Sequence, residues 1–253
     1  MISTMEKNKR EALVFCLGII LIGLLIQLSG QAKGDKIVFP GVIEILKAFF
    51  NLLGQKNTYL KMLVTLKHLV ITLFFSSIIG IALGMLEGYS PFVRTLLRPT
   101  MILLRSIPMV VMAVVIMVMT QYERVPVIAT SLFLIPLISE ATCQGFIDLD
   151  KDLLDVYKLE SEFNFKVLRL VHLPLMAGYL KQAYISAVGM GMKLIVSTEY
   201  LVQTRNSLGK AIHSSSYFNE YQDIYAYALI MIMLVMIVSE IPALVGKLSR
   251  KLK

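Results

Sequence analysis

Long apolar runs without a charged residue constrain the fold of this chain more than any other feature. Ala12 to Gly30 and Leu69 to Leu86 contain no Asp, Glu, Lys or Arg, and each approaches the ~20 residues that an α-helix needs to cross a bilayer. A soluble domain has to cover its core with polar groups, yet 57% of this chain is hydrophobic and only 17% is charged. The chain is therefore predicted to be a membrane protein.

Helices are the predicted means of crossing the membrane. In lipid, backbone N–H and C=O groups must be satisfied within the protein, which leaves helices or a closed barrel, and continuous apolar runs favour helices. The predicted fold class is all-α, a polytopic transmembrane helical bundle in a single domain over residues 1–253. Removal of the first run as a signal peptide is the less favoured alternative, because that run is longer than a usual signal sequence. The six predicted spans are residues 12–30, 69–88, 101–120, 125–146, 175–200 and 223–245.

Basic residues flank the apolar runs and predict the orientation of the chain. They cluster at the N-terminus, between the second and third spans, and at the C-terminus, which is the positive-inside pattern of a multi-pass membrane protein. Both termini are therefore predicted to be cytoplasmic, and the formal charge of +8 indicates contact with membrane lipid rather than nucleic acid. These residues are Lys7, Lys9, Arg10, Arg94, Arg98, Lys247, Arg250, Lys251 and Lys253.

The cysteines and histidines carry no predicted site. Cys16 and Cys143 lie in apolar spans, where packing is favoured over a disulfide. The histidines lack the spacing of metal ligands, so no metal site is predicted.

The segment that follows Pro40-Gly41 has the pattern of an amphipathic helix. In the sequence from Val42 to Leu53, three polar residues fall on one helical face and apolar residues cover the rest. Such a helix, with a proline near its start, is predicted to lie on the outer membrane surface. The polar residues are Glu44, Lys47 and Asn51.

Glycines and prolines predict the packing and shape of the spans. Gly80, Gly84 and Gly88 repeat at every fourth position of the second span, which lets another helix approach closely. Packing inside one subunit is the favoured interpretation, with a subunit interface as the alternative. Pro126 and Pro136 predict a kink in the fourth span.

A polar interruption, Asp148 to Pro174, separates the fourth and fifth spans. Asp150 or Asp152 can cap a short helix, which Ser161 to Asn164 interrupts. Asn164 can cap a second helix that ends at Pro174. Two short amphipathic helices predict a protruding cytoplasmic knob, and an ordinary solvated loop is the alternative.

This interruption resembles the Glu-Ala-Ala loop of the inner-membrane subunits of binding-protein-dependent ABC importers. Asp155-Val156-Tyr157 stands in place of Glu-Ala-Ala, Ser161 in place of a glycine, and Leu173-Pro174 keeps its spacing. The glycine of the family would tolerate a left-handed turn better than Ser161 does.

Further segments are similar, in order and spacing, to the nitrate, sulfonate and taurine branch of that family over nearly the full length of the chain. They stand before the surface helix, before the second span, at the start of the third span, at the end of the fourth, and at the end of the fifth. These segments are Phe39-Pro40, Thr65-Leu66-Lys67, Leu104-Arg105-Ser106-Ile107-Pro108, Gln144-Gly145, and Thr198-Glu199 with Ser207-Leu208-Gly209.

The resemblance implies a permease of the bacterial inner membrane that acts with several partners. These would be a second permease copy in a homodimer, an ABC ATPase subunit, and an extracytoplasmic substrate-binding protein, with alternating access driven by ATP. No catalytic residue and no cofactor are predicted in this chain. ATP and Mg²⁺ would bind the ATPase subunit, since Gly246-Lys247 is followed by Leu248 and no phosphate-binding loop motif is present. The residues implied to couple the loop to the ATPase are Leu153, Leu154, Asp155, Tyr157, Leu159, Ser161 and Pro174.

Ionisable groups inside the fifth span predict a substrate pathway. Lys193 and Glu199 lie in a span, where charged side chains face the bundle interior or a wet cavity. Met190 and Met192 add flexible side chains beside the lysine. Lys193 would favour a small solute that is anionic or, as the resemblance implies, heteroaromatic. Pairing of Lys193 with a carboxylate, or its extension to the membrane surface, is the alternative. The carboxylates in question are Glu140, Glu199 and Glu240.

Two other function classes compete with an importer subunit. A stand-alone secondary transporter could use Lys193 and the acidic residues for coupling to an ion gradient. An intramembrane enzyme is disfavoured, because the sequence contains no paired catalytic carboxylates, Ser-Lys dyad or His-x-x-x-His pattern.

Overall fold

The computed structural model describes Gly18, Val38 and residues 40–147 and 173–251. Residues 40–147 and 173–251 form eight α-helices and contain no β-strand, which confirms the all-α prediction for this part of the chain. The helices are α1 (Val42–Leu53), α2 (Lys56–Tyr89), α3 (Pro91–Ser106), α4 (Met109–Met119), α5 (Val125–Ile147), α6 (Leu173–Val202), α7 (Leu208–Tyr217) and α8 (Tyr221–Lys251).

The chain divides into two compact units. One unit consists of residues 1–59 and 212–230, and the other of residues 60–211 and 231–253. The second unit contains most of α2 and the whole of α3, α4, α5 and α6. The prediction of one transport domain over residues 1–253 stays a prediction.

Several helices are long and apolar enough to cross a membrane. Among the described residues these are α2, α5, α6 from Met176 onwards, and α8 as far as Ser239, while α3 and α4 together form a bent pair that could be a fifth. The predicted second, fourth, fifth and sixth spans therefore correspond to helices. The first predicted span, residues 12–30, lies outside the described residues apart from Gly18, so the total of six stays a prediction.

The third predicted span, Met101 to Thr120, does not form one straight helix. Helix α3 ends at Ser106, α4 begins at Met109, and the two are bent by 100°. The reason is Pro108, which disfavours a helical conformation at the residue before it. Ile107 is accordingly extended, with φ −67° and ψ 123°. The segment is helical as predicted, but the prediction of one continuous span was wrong.

Helix α4 packs against the start of α5 after the bend. Met112, Ala113 and Ile116 of α4 share a buried apolar cluster with Val125 and Ala129. Helix α5 in turn packs most extensively against α6. Pro136 lies inside α5, which continues from Val125 to Ile147.

The glycine repeat of α2 packs against α5 within the same chain. A Cβ atom at Gly80 would lie 2.9 Å from Ile138 Cβ, and one at Gly84 would lie 2.5 Å from Thr142 Cβ. At Gly88 the added atom would lie 2.7 Å from Phe146 Cβ. Larger residues would force the helices apart, so packing inside one subunit is confirmed as the role of this repeat.

Helix α1 has the predicted bounds of the amphipathic helix. The backbone N–H of Gly41 donates to Glu44 Oε2 at 2.9 Å, which fixes the N-terminus of the helix. Ile45, Ala48 and Leu52 are buried on one side. Phe50, which was assigned to the apolar face, is 67% exposed. The location of α1 on the outer membrane surface stays a prediction.

The connection between α6 and α8 is more ordered than predicted. Residues 201–222 are a polar connection between the predicted fifth and sixth spans, and Asn206-Ser207-Leu208-Gly209 in it has the composition of a turn. Asn206 does lie in a turn, and both it and Gln203 have a positive φ value of 53°, but Leu208 and Gly209 already belong to helix α7. Ser207 explains the helix start, because its Oγ accepts a hydrogen bond from Lys210 N–H at 3.1 Å as an N-cap.

Candidate functional site

Helix α2 carries polar residues at both ends of a long apolar stretch. Thr65 and His68 lie near its start, and Glu87 lies near its end. At a rise of 1.5 Å per residue, His68 and Glu87 are roughly 28 Å apart along the axis, close to the ~30 Å of a bilayer core. Two polar clusters of the second unit therefore lie at the two ends of this apolar stretch.

The first cluster is built around the fully buried carboxylate of Glu199 on α6. Glu199 Oε2 accepts hydrogen bonds from Thr65 Oγ1 at 2.9 Å and from the Gly209 backbone N–H at 3.2 Å. Glu199 Oε1 forms a hydrogen bond with His68 Nδ1 at 2.7 Å. Thr65 Oγ1 also accepts from Leu208 N–H at 3.0 Å. We call these five residues, Thr65, His68, Glu199, Leu208 and Gly209, the Glu199 cluster.

A close backbone approach makes glycine necessary at position 209. A Cβ atom there would lie 2.5 Å from both Tyr200 N and Val196 O, which are backbone atoms of α6. The preceding turn is closed by Thr204 N–H, which donates to Glu199 O at 3.2 Å. The start of α7 is thereby held against the end of α6 and the start of α2.

The chemistry of the Glu199 cluster suits fixation rather than catalysis. A buried carboxylate is costly unless it is paired and hydrogen-bonded, and both oxygens of Glu199 have such partners. Each hydrogen bond to a charged group contributes about 1.5 to 3 kcal/mol. The cluster therefore ties α2, α6 and the start of α7 together.

Three of the sequence segments that supported the family resemblance meet in this cluster. Thr65 belongs to one, Glu199 to the second, and Leu208-Gly209 to the third. The first segment is far from the other two in the sequence and was predicted to lie at the end of a different span. Their mutual contact, and the part of His68 in it, were not predicted, because no local pattern pairs residues more than 130 positions apart.

The four predicted pathway residues do not lie on one face of α6. Met192 and Glu199 are fully buried, whereas Lys193 and Met190 are exposed. Glu199 is paired with His68, and Glu140, another proposed partner of Lys193, is paired with Arg105. The part of these four residues in a substrate pathway stays a prediction.

Exposed polar residues form a stripe along α6 that includes Lys193. The helix exposes Gln182, Ser186, Met190, Lys193 and Ser197 at successive intervals of three or four residues, which is the spacing of one helical face. Polar groups that face lipid inside a span are unfavourable. This face therefore suits a wet cavity or a second protein surface better than lipid.

The second polar cluster surrounds an open cavity of about 380 Å³ at the other end of α2. Three arginines and two glutamates line it: Arg94, Arg98, Arg105, Glu87 and Glu140. We call it the arginine cavity.

The glutamates that line the arginine cavity have fewer hydrogen-bond or ion-pair partners among the described residues than Glu199: the side chains of Glu87 and Glu140 each have one, and that of Glu199 has three. Arg105 Nη2 lies 2.5 Å from Glu140 Oε2 and donates to Pro136 O at 2.8 Å. Arg94 Nε donates to Glu87 O at 3.1 Å, at the C-terminal end of α2, where a cation is favourable. The hydroxyl of Ser139 donates to Glu87 Oε2 at 3.2 Å. The Arg105–Glu140 pair is itself substantially exposed, at 40% and 63%.

Helix α3 brings the three arginines to one side. Ser90 is its N-cap, with Oγ accepting from Val93 N–H at 3.4 Å, and Pro91 follows at the first helical position. Arg94, Arg98 and Arg105 then recur at intervals of four and seven residues, which places them on one helical face. None of the residues of α3 is buried.

The predicted coupling residues lie mostly outside the described part of the chain. This applies to Leu153, Leu154, Asp155, Tyr157, Leu159 and Ser161. Pro174 lies in the first turn of α6, which begins at Leu173 rather than at Leu175 as predicted. Ile147, the last residue of α5, lines the arginine cavity.

No group of three or more His, Cys, Asp or Glu side chains in the described ranges could hold a metal ion.

Comparison with known proteins identifies one family. Residues 76–251 match the family described as the inner membrane component of binding-protein-dependent transport systems. No curated protein matches the chain. The family match includes α3 to α8 and most of the apolar stretch of α2, while Thr65 and His68 of the Glu199 cluster precede it.

Proposed function

The chain belongs to the family of inner membrane components of binding-protein-dependent transport systems, and from this premise we propose that it forms the solute pathway of an ATP-driven importer. The match over residues 76–251 is the observation that carries the proposal. The family consists of transport permeases rather than catalytic subunits. The helices of the described residues that are long enough to cross a membrane agree with that role.

The proposal places ATP hydrolysis on a separate nucleotide-binding subunit that docks on residues 148–174. This segment follows Ile147, the last residue of α5, which lines the arginine cavity together with Arg94, Arg98 and Arg105. Since basic residues favour the cytoplasmic side, these arginines support a cytoplasmic position for the segment. The coupling contacts are proposed to come from Leu153, Leu154, Asp155, Tyr157, Leu159, Ser161 and Pro174.

The pathway is proposed to run along the polar stripe of α6, between this chain and a second copy. Lys193 and Met190 are exposed on that face, and a lysine beside a water-filled path would attract a small anionic or electron-rich solute. Met192 and Glu199 are buried behind it and would hold α6 in position. An extracytoplasmic binding protein would deliver the solute, and ATP would drive alternating access.

Co-purification of the nucleotide-binding subunit tests this function. Wild-type chain is expected to retain the subunit through purification, whereas Leu153→Asp/Leu154→Asp is expected to lose it, because charged residues replace apolar contacts of the proposed interface. Tyr122→Arg, at an exposed turn between α4 and α5, is the control and is expected to behave as wild type. An intact complex with the double variant would contradict the coupling role of the segment.

A secondary transporter driven by an ion gradient is the second candidate, and the family match does not favour it. It predicts transport that persists without the nucleotide-binding subunit and stops when an ionophore collapses the gradient. The importer predicts the opposite result in both cases.

A further inference from the structure

Three arginines and two glutamates line the arginine cavity, and the arginines differ in their hydrogen-bond and ion-pair partners. Arg105 is paired with Glu140, and Arg94 uses its Nε–H on a backbone carbonyl. Arg98 makes no hydrogen bond or ion pair with any residue in the ranges 40–147 and 176–239. A guanidinium has five N–H donors, so Arg94 and Arg98 keep several donors available for a ligand.

The spacing of the two arginines makes an anion favourable between them. Arg94 and Arg98 lie one helical turn apart on α3 and both line the cavity, a spacing at which the Cβ atoms are about 6 Å apart. Like charges at this spacing destabilise a helix. A phosphate group can accept from both guanidiniums at once and offset that repulsion.

The surroundings of the cavity favour an amphiphile over a free ion. The cavity is also lined by apolar Met101, Ile102 and Ile147, of which Ile102 is 54% exposed and Ile147 is 41% exposed. The site lies where the apolar stretch of α2 ends, at the depth of lipid headgroups if α2 crosses the membrane. Its volume of about 380 Å³ corresponds to roughly ten water molecules, which is ample room for a headgroup.

We propose that the arginine cavity binds the phosphate headgroup of an anionic membrane lipid. Arg94 and Arg98 donate to the phosphate oxygens, while the acyl chains lie over Ile102 and Ile147, which line the same cavity. Basic pockets between membrane helices bind anionic headgroups by this combination of charge and apolar contact. The proposal is independent of the transport function, because it requires only that the chain lies in a membrane.

Native mass spectrometry of the full chain in detergent tests the proposal. The protein is incubated with equimolar phosphatidylglycerol and phosphatidylcholine, and the retained lipid is counted per chain. Wild type is expected to retain phosphatidylglycerol preferentially. Arg94→Gln/Arg98→Gln is expected to lose that preference by about tenfold, since two charge-assisted hydrogen-bonding groups are removed. Arg124→Gln/Arg205→Gln removes the same charge from two exposed turn residues and is expected to keep it.

Further arms separate the lipid from other sources of the same chemistry. Millimolar inorganic phosphate is expected to leave the bound lipid in place, because it lacks acyl chains. Displacement by phosphate, equal lipid retention by wild type and the Arg94/Arg98 double variant, or equal loss in the control variant would each overturn the proposal. If the double variant does not fold, Arg98→Gln alone decides the matter: it breaks no hydrogen bond or ion pair among the described residues and is expected to lower the preference.

Discussion

The two ends of α2 use charged residues in opposite ways. At one end the Glu199 carboxylate is fully buried and accepts from Thr65, Gly209 and His68. At the other, the arginine cavity is open, and the Arg105–Glu140 ion pair that lines it is substantially exposed. The comparison indicates that the first cluster fixes helix positions, while the second leaves hydrogen-bonding groups accessible to a ligand.

Removal of the Glu199 carboxylate is expected to have the largest effect on stability. Glu199→Ala leaves the buried Thr65 hydroxyl and the Gly209 N–H without their acceptor, at an expected cost of about 3 to 5 kcal/mol. A lower Tm of the purified protein in detergent is the measure. Glu199→Gln, which keeps one carbonyl oxygen, is expected to lose less, and Glu123→Ala, at an exposed turn, little. A Tm for Glu199→Ala equal to that of wild type would contradict the claim that the Glu199 cluster stabilises the fold more than the arginine cavity does.

A single methyl group at position 209 sharpens the comparison, because it tests how closed the Glu199 cluster is. Gly209→Ala places Cβ against the backbone of α6 and is expected to cost about 1 to 3 kcal/mol. Gly189→Ala is the matched control: no atom lies within 4 Å of the added Cβ, and alanine is the better helix former by about 0.5 to 1 kcal/mol. Thermal unfolding should therefore move in opposite directions for the two variants. A shift in the same direction for both would contradict the close approach of α7 to α6.

Breaking the ion pair of the arginine cavity is expected to have the smallest effect. Arg105→Met removes a partner of Glu140, but that pair is 40% and 63% exposed, and exposed pairs contribute about 1 kcal/mol or less. The Tm of Arg105→Met is therefore expected to fall much less than that of Glu199→Ala, and a double-mutant cycle with Glu140→Gln isolates the coupling energy. A coupling energy as large as the loss at Glu199 would show that both clusters are structural.

The long helices were predictable from the sequence, since each apolar run reports on its own conformation. A run such as Leu69 to Leu86 is long and apolar enough to predict a span from its own residues alone. The glycines at positions 80, 84 and 88 were equally informative, because a missing side chain at one face predicts close contact there. The resemblance to the inner membrane components of binding-protein-dependent transport systems was likewise confirmed by the match over residues 76–251, whereas the nitrate, sulfonate and taurine branch stays a prediction.

The features that were missed depend on single backbone positions or on distant contacts. Pro108 was visible in the sequence, but the apolar composition of residues 101–120 concealed the break that it causes. Helix α7 lies in a stretch with three consecutive serines, which are weak helix formers, and is anchored instead by the Ser207 cap and by Leu208 N–H on Thr65. Residues meeting from such separate parts of the chain leave no periodic signal.

The most direct test of the account is solute uptake by proteoliposomes that contain the chain and its nucleotide-binding subunit. The solute is the ligand carried by the cognate binding protein, which is added outside, and ATP is enclosed within. We predict uptake that requires ATP and both partners, is unaffected by ionophores, and is lost with Leu153→Asp/Leu154→Asp. Uptake that continues without the nucleotide-binding subunit and is abolished by an ionophore would contradict the importer function.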